Sequence, residues 1–230
     1  MKPYHSIAIQ ECGEPLIPIP LTQFSAVLPH PYERLGAPYG DRSPYWLRES
    51  VLAALVQAQV NLQSRQPGWT IQIFDAYRPV AVQQFMVDHS FKELAQQQPS
   101  DSLTEAERHS LLETVYQFWA PPSLDPMTPP PHSTGAAVDI TLMDAEGQSV
   151  DMGSPIDEIS SRSHPDYFAP DGEQPDPSVH AHRSLLKATL SEVGFQQHPN
   201  EWWHFSLGDQ LWAWQTKAGQ HLVARYGRIL

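Results

Sequence analysis

The chain's 230 residues, 40% of them hydrophobic, are enough for one packed core, and we expect a single domain over 1–230 with 1–44 as an irregular N-terminal segment packed on it. A net charge of -12 without a Lys/Arg cluster argues against nucleic acid, and no apolar run approaches the roughly 18 residues that a membrane span needs. The single Cys12 permits no internal disulfide and the first twelve residues hold no apolar signal core, so a reducing, cytoplasmic setting is expected; nothing in the sequence fixes an oligomeric state.

Early on, prolines alternate with short apolar runs, as in Pro15-Leu16-Ile17-Pro18-Ile19-Pro20, which reads as irregular segments or edge strands. From about Tyr45 to Ser64 the spacing predicts a helix with Leu47, Val51, Leu55 and Val60 near one stripe. After Gly68, residues Trp69 to Asp75 alternate as a strand with Trp69, Ile71 and Ile73 on one side. That strand runs into Asp75-Ala76-Tyr77-Arg78-Pro79, where Pro79 favours the first turn of a helix expected over Val80 to Gln98, with Val82, Phe85 and Met86 inward. Arg78 thus sits at a strand-to-helix junction, where a rigid scaffold often presents functional side chains. A surface ion pair between Asp75 and Arg78 would leave the same trace in sequence.

Thr104-Glu105-Ala106-Glu107 is a capping box opening a second helix through Leu111, Leu112, Val115 and Phe118 to about Trp119. Six prolines between Ala120 and Pro131 exclude regular structure and carry the chain stiffly to His132. Residues 137–142 then alternate as a half-buried strand, Ala137, Asp139 and Thr141 on one face and Val138, Ile140 and Leu142 on the other. An aspartate in mid-strand must be paired, hydrogen-bonded or bound to a cation, because burying it alone is too costly. His132, seven residues upstream across Gly135, can turn its imidazole back toward that carboxylate.

Asp144 to Gly147 reads as a hairpin turn, 151–157 as a loop, and 160–177 as irregular chain. A helix is expected from near Ser178 through Val193, ended by Gly194, followed by a strand over Glu201 to Leu207. His164, His180, His182 and His198 are expected to face solvent, and Trp212 and Trp214 to pack in the core or at an edge.

Glu201-Trp202-Trp203-His204-Phe205 offers the partner that His132 and Asp139 lack. His132, Asp139 and His204 would make a three-ligand set whose open fourth position suits catalytic rather than structural zinc. Glu201 could take the proton of a water acidified to a pKa of about 7. A guanidinium fixed near the developing oxyanion, as Arg78 could be, contributes about 3 kcal/mol. A core histidine at 204, a surface glutamate at 201 and a turn carboxylate at 157 are the plain alternatives.

Four motifs in order, Asp75 to Pro79, His132-Ser133-Thr134-Gly135-Ala136-Ala137-Val138-Asp139, Met152-Gly153-Ser154-Pro155-Ile156-Asp157 and Glu201 to Phe205, give the chain a resemblance to the VanX-type D-alanyl-D-alanine dipeptidases over roughly residues 45 to 208. The resemblance implies an α+β fold of hedgehog/D,D-peptidase type, a small central antiparallel sheet flanked by helices, and one zinc ion per chain. It implies His132, Asp139 and His204 as ligands, Glu201 as base and Arg78 as transition-state stabiliser. Asp157 is implied as the contact for the amino group of a small dipeptide, with Ser133 and Tyr32 as further substrate contacts. The chain departs from the family at Pro130, where a serine is usual, and lacks the usual N-terminal tyrosine motif, for which Tyr32 is the candidate replacement. A D,D-carboxypeptidase acting on longer stems, or a zinc module without activity, are the alternatives; Glu201 and Arg78 argue against the second, since zinc binding needs neither.

Overall fold

Two strands with apolar alternation lie at the centre of the chain, in a computed structural model that describes residues 2–98, 102–216 and 223–229. In chain order the elements are β1 (Leu16–Pro18), β2 (Ser25–Ala26), the single-turn α1 (Pro31–Arg34), β3 (Trp46–Arg48), α2 (Glu49–Arg65), β4 (Thr70–Asp75) and α3 (Val80–Gln96). There follow α4 (Glu105–Phe118), β5 (Ala137–Met143), α5 (Pro177–Ser191), β6 (Gln196–Gln197), β7 (His204–Ser206) and α6 (Gln210–Gln215). The fold is α+β. Its main sheet has the order β2-β4-β5-β7-β6, antiparallel throughout except that β2 joins the β4 edge in parallel.

Val138, Ile140 and Leu142 of β5 pack with Ile71 and Ile73 of β4 against apolar side chains of α2 and α5. Burying each such side chain contributes about 1.5–3 kcal/mol, which lets the other face of β5 carry polar groups. A second cluster, with Tyr32, Val82, Met86, Val115 and Trp119, joins α1, α3 and α4 against Phe74 of β4. The capping box forms as expected, Thr104 and Glu107 each bonding the other's backbone. No helix among the described residues is long and apolar enough to cross a membrane.

Three local expectations are corrected. The helix expected from Tyr45 begins at Glu49, because Trp46–Arg48 is drawn into a two-stranded ladder with Leu16–Pro18, and the Arg48 N–H bonds Gly135 O at 2.8 Å. Val60 is 54% exposed. Five residues beyond Leu55 it lies well round the helix, and the buried stripe passes instead through Gln59, whose amide bonds both Ile71 N and Trp69 O. The last expected strand keeps only His204–Ser206, since Trp202 N turns away to bond Ser163 O at 3.0 Å.

Sheet register sets up the site. Asp75 of β4 lies opposite Asp139 of β5, and Asp139 lies opposite His204 of β7, so one rung across three strands carries three ionisable side chains. A bulge between Ile73 and Asp75 makes this possible, since Ile73 pairs with Ile140 on the core face while Asp75 is re-aimed to the face of Asp139.

Candidate active site

His132 reaches this rung from a single helical turn, Pro131–Thr134, that ends in Gly135 at φ 71°. A β-carbon at Gly135 would meet the movable end of the Leu16 side chain, so it is the left-handed turn that calls for glycine there. His132 Nδ1 lies 2.7 Å from Ala76 O. A carbonyl can only accept, which fixes the proton on Nδ1 and leaves Nε2 bare. His204 is oriented in the same way from behind: its Nε2 is 3.3 Å from Ser206 Oγ, whose own proton goes to Asp209 Oδ2 at 2.9 Å. Its Nδ1 is therefore bare.

The two bare nitrogens face each other at 3.1 Å, with Asp139 Oδ2 at 3.2 Å from His132 Nε2 and Asp139 Oδ1 at 3.0 Å from His204 Nδ1. Burial works against ionisation of Asp139, but positive charge beside it, from His132 when that ring is protonated and from the Arg78 guanidinium that donates to Oδ2 at 3.0 Å, holds the carboxyl well below its usual range. His204 is moved the other way: burial above all holds its imidazole below the ordinary histidine value, so it stays neutral. Three lone-pair donors within 4.8 Å of one another, with the ring protons directed outward, suit a divalent cation of the zinc type.

Around this cluster one cavity is walled by Arg78, His132, Asp139, Asp157, Glu201 and His204. Seven of the eight residues singled out from sequence thus meet here or directly behind the wall; Ser133 does not. Its hydroxyl donates to Pro130 O at 2.7 Å and it lines a separate depression with Arg228 and Ile229. Tyr32 is 1% exposed and stands behind the wall, donating to Asp157 Oδ2 at 2.7 Å. Of the histidines expected in solvent, His198 instead lines the cavity with its side chain 12% exposed.

Glu201 is buried, and its carboxylate accepts no hydrogen bond among the described residues. Oε2 lies 3.7 Å from His204 Nδ1 and Oε1 lies 3.3 Å from His198 Nδ1, which is itself accepting from Asn200 N. Burial first, then repulsion from Asp139 and Asp157, hold the carboxyl well above the usual range. Such a group is a stronger base than a solvated glutamate.

Arg78 does pair with Asp75, at 2.8 Å, but the pair is buried rather than superficial. The same guanidinium reaches Asp139 Oδ2 at 3.0 Å, Gln83 Oε1 at 3.0 Å and Tyr32 Oη at 3.3 Å, and lies 4.8 Å from the centre of the Trp119 ring. Asp75 is further held by His30 and by the Tyr39 hydroxyl. Asp157 adopts φ 68°, and its carboxyl is pushed up to about 7 by burial and then by the charge of Asp139.

Sequence reasoning missed Gln83, Trp119, His30, Ser206 and Asp209 as supports of the site. Ser206 and Asp209 follow His204 closely, and a hydroxyl and a carboxylate so near a candidate ligand histidine were a usable signal. The others come from separate elements and leave none.

Known proteins share this chain's sequence pattern. A family model described as D-ala-D-ala dipeptidase matches residues 25–223. A D-alanyl-D-alanine dipeptidase of Synechocystis sp. is 49% identical over 240 aligned positions, covering 100% of this chain and 97% of that protein. Another from Enterococcus faecalis is 28% identical, covering 70% of this chain and 73% of its own. Among solved structures, the vancomycin resistance D,D-pentapeptidase VanY aligns over 78% of this chain and 82% of its own, at TM-score 0.45 and 16% identity.

Proposed function

The chain belongs to the D-ala-D-ala dipeptidase family of peptidases, and from that premise we propose that it is a zinc-dependent enzyme cleaving the free dipeptide D-alanyl-D-alanine into two D-alanines. His132, Asp139 and His204 would hold the ion. Bound there, zinc supplies Lewis-acid polarisation of the peptide carbonyl and acidification of water.

The observation that carries this reading is Glu201, a buried carboxylate without a hydrogen bond among the described residues, 3.7 Å from the inward nitrogen of His204. There it takes the proton of the attacking water on a carboxylate oxygen and delivers it to the leaving amine nitrogen, an effect on the order of 10² to 10⁴ in rate. Arg78, locked by two carboxylates and Gln83, presents a fixed positive charge where the carbonyl oxygen becomes negative, worth about 3 kcal/mol. Asp157, held by the Tyr32 hydroxyl, offers a carboxylate to the substrate ammonium. Ser133 has no part in this reading, because its hydroxyl is engaged with Pro130.

Metal analysis coupled to D-alanine release tests the proposal. Chelation is expected to abolish release and added zinc to restore it; His132→Ala, Asp139→Ala and His204→Ala should each lose metal. Full metal occupancy in one of these variants removes that residue from the ligand set, and undiminished release after chelation overturns the metal reading. Cleavage of a stem pentapeptide as readily as the free dipeptide would assign the chain to the carboxypeptidases.

A further inference from the structure

The cavity is rich in carboxyl groups, with Asp139, Asp157 and Glu201 on its wall, while Lys2 and Arg78 are its lysine and arginine among the described residues. Arg78 is already committed to Asp75, Asp139 and Gln83. Lys2 is not. Among the described residues its half-buried ammonium has one acceptor, Tyr116 O at 2.5 Å, and no carboxylate at ion-pair distance. An ammonium carries three donors, so hydrogen-bonding capacity remains. Burial lowers its affinity for the proton while the charge of Glu201 raises it, as fits a cation drawn from water toward an acidic site.

Two residues on, in the single helical turn Pro3–Ser6, Tyr4 also lines the cavity. It is 4% exposed, and its hydroxyl has no hydrogen-bond partner among the described residues. The segment is tied down rather than loose: Gln210 Nε2 donates to Ile7 O at 2.6 Å, and Ile7 packs with Ala213 and Ala224.

We propose that Lys2 and Tyr4 form an anion subsite that receives the free C-terminal carboxylate of the peptide. The two ends of a short substrate are then read by opposite charges, the ammonium by Asp157 and the carboxylate by Lys2. This deepens the dipeptidase reading and rests on it.

The test compares D-Ala-D-Ala with its C-terminal amide in the zinc-loaded wild type and in Lys2→Met, Lys2→Arg and Tyr4→Phe. The wild type should favour the acid. Lys2→Met should raise KM for the acid about 10- to 100-fold with kcat changed only a few-fold, and abolish the preference over the amide. Lys2→Arg should keep the preference and Tyr4→Phe should weaken it. An acid-to-amide ratio unchanged in Lys2→Met overturns the subsite and leaves the dipeptidase reading standing; if that variant loses its circular dichroism signature, Lys2→Gln decides by the same ratio. Absence of turnover in the wild type would instead sink the dipeptidase reading. Calorimetry with D-alanine then judges the subsite alone: binding that requires Lys2 supports it, and binding that is absent or indifferent to Lys2 refutes it.

Discussion

Replacing Asp157 with asparagine should stabilise the fold while crippling the enzyme. The amide oxygen of the new side chain would still accept from Tyr32, and asparagine tolerates the positive φ of 68° at this position at least as well as aspartate. What disappears is a carboxylate whose ionisation the folded state opposes, through burial and then through Asp139. A rise from 3.8 to about 7, at about 1.4 kcal/mol per pH unit, amounts to about 4 kcal/mol; partial solvent access at this half-buried residue cuts it to roughly 2 kcal/mol. Between those two pH values the native state binds a proton that the unfolded chain has lost, so wild-type stability falls as pH rises, and the penalty is complete above about 7. Urea unfolding of chelator-treated wild type and Asp157→Asn from about pH 4 to 8, where no bound cation offsets Asp139, should give equal stability at the acid end and an advantage to the variant at the alkaline end. With metal restored, the variant should bind D-Ala-D-Ala at least about 10-fold more weakly, for want of an anion facing the ammonium. A stability difference that stays flat across this range, or a wild type that is the more stable at its alkaline end, would refute the electrostatic reasoning.

Glu201→Gln should keep its metal and lose about 10³-fold or more in kcat, as single-turnover kinetics and metal analysis would read; near-normal turnover would remove Glu201 from the proton path. Arg78→Ala should both slow the reaction and unfold more easily, by about 3–5 kcal/mol in urea titration, because it strands two buried carboxylates, Asp75 and Asp139. Arg78→Lys keeps a charge but cannot span Asp75, Gln83 and Asp139 together, so a kcat loss of about 10² is expected with metal content retained. A lysine variant with kcat within about threefold of wild type would leave Arg78 a purely structural role.

Much of the chemistry lies in the linear order of residues, because it depends on local features. Alternation along 137–142 placed Asp139 opposite the core face, and Pro79 after Arg78 marked the junction that carries it; both follow from backbone periodicity and fixed dihedrals. The short motifs likewise supplied the three donors that the folded chain brings within 4.8 Å of one another, since each motif is held within one turn or strand. The limits of the helix from residue 45 were not legible, because Trp46–Arg48 obeys a partner strand about thirty residues away rather than its own spacing. Nor was the fate of Ser133, whose hydroxyl is claimed by a carbonyl three residues back, or of His198, drawn to the cavity beside Glu201.

Sequence by itself determined which donors the chain owns and which face of a strand each one takes. Tertiary structure alone decided that Asp75, Asp139 and His204 fall on one rung, that Arg78 is shared between two carboxylates, and that Lys2 lines the same cavity as His132 from more than a hundred residues away. The reason is that propensity acts within a few residues, whereas register, bulges and the pairing of buried charges are settled by which distant segments must satisfy one another once water is excluded.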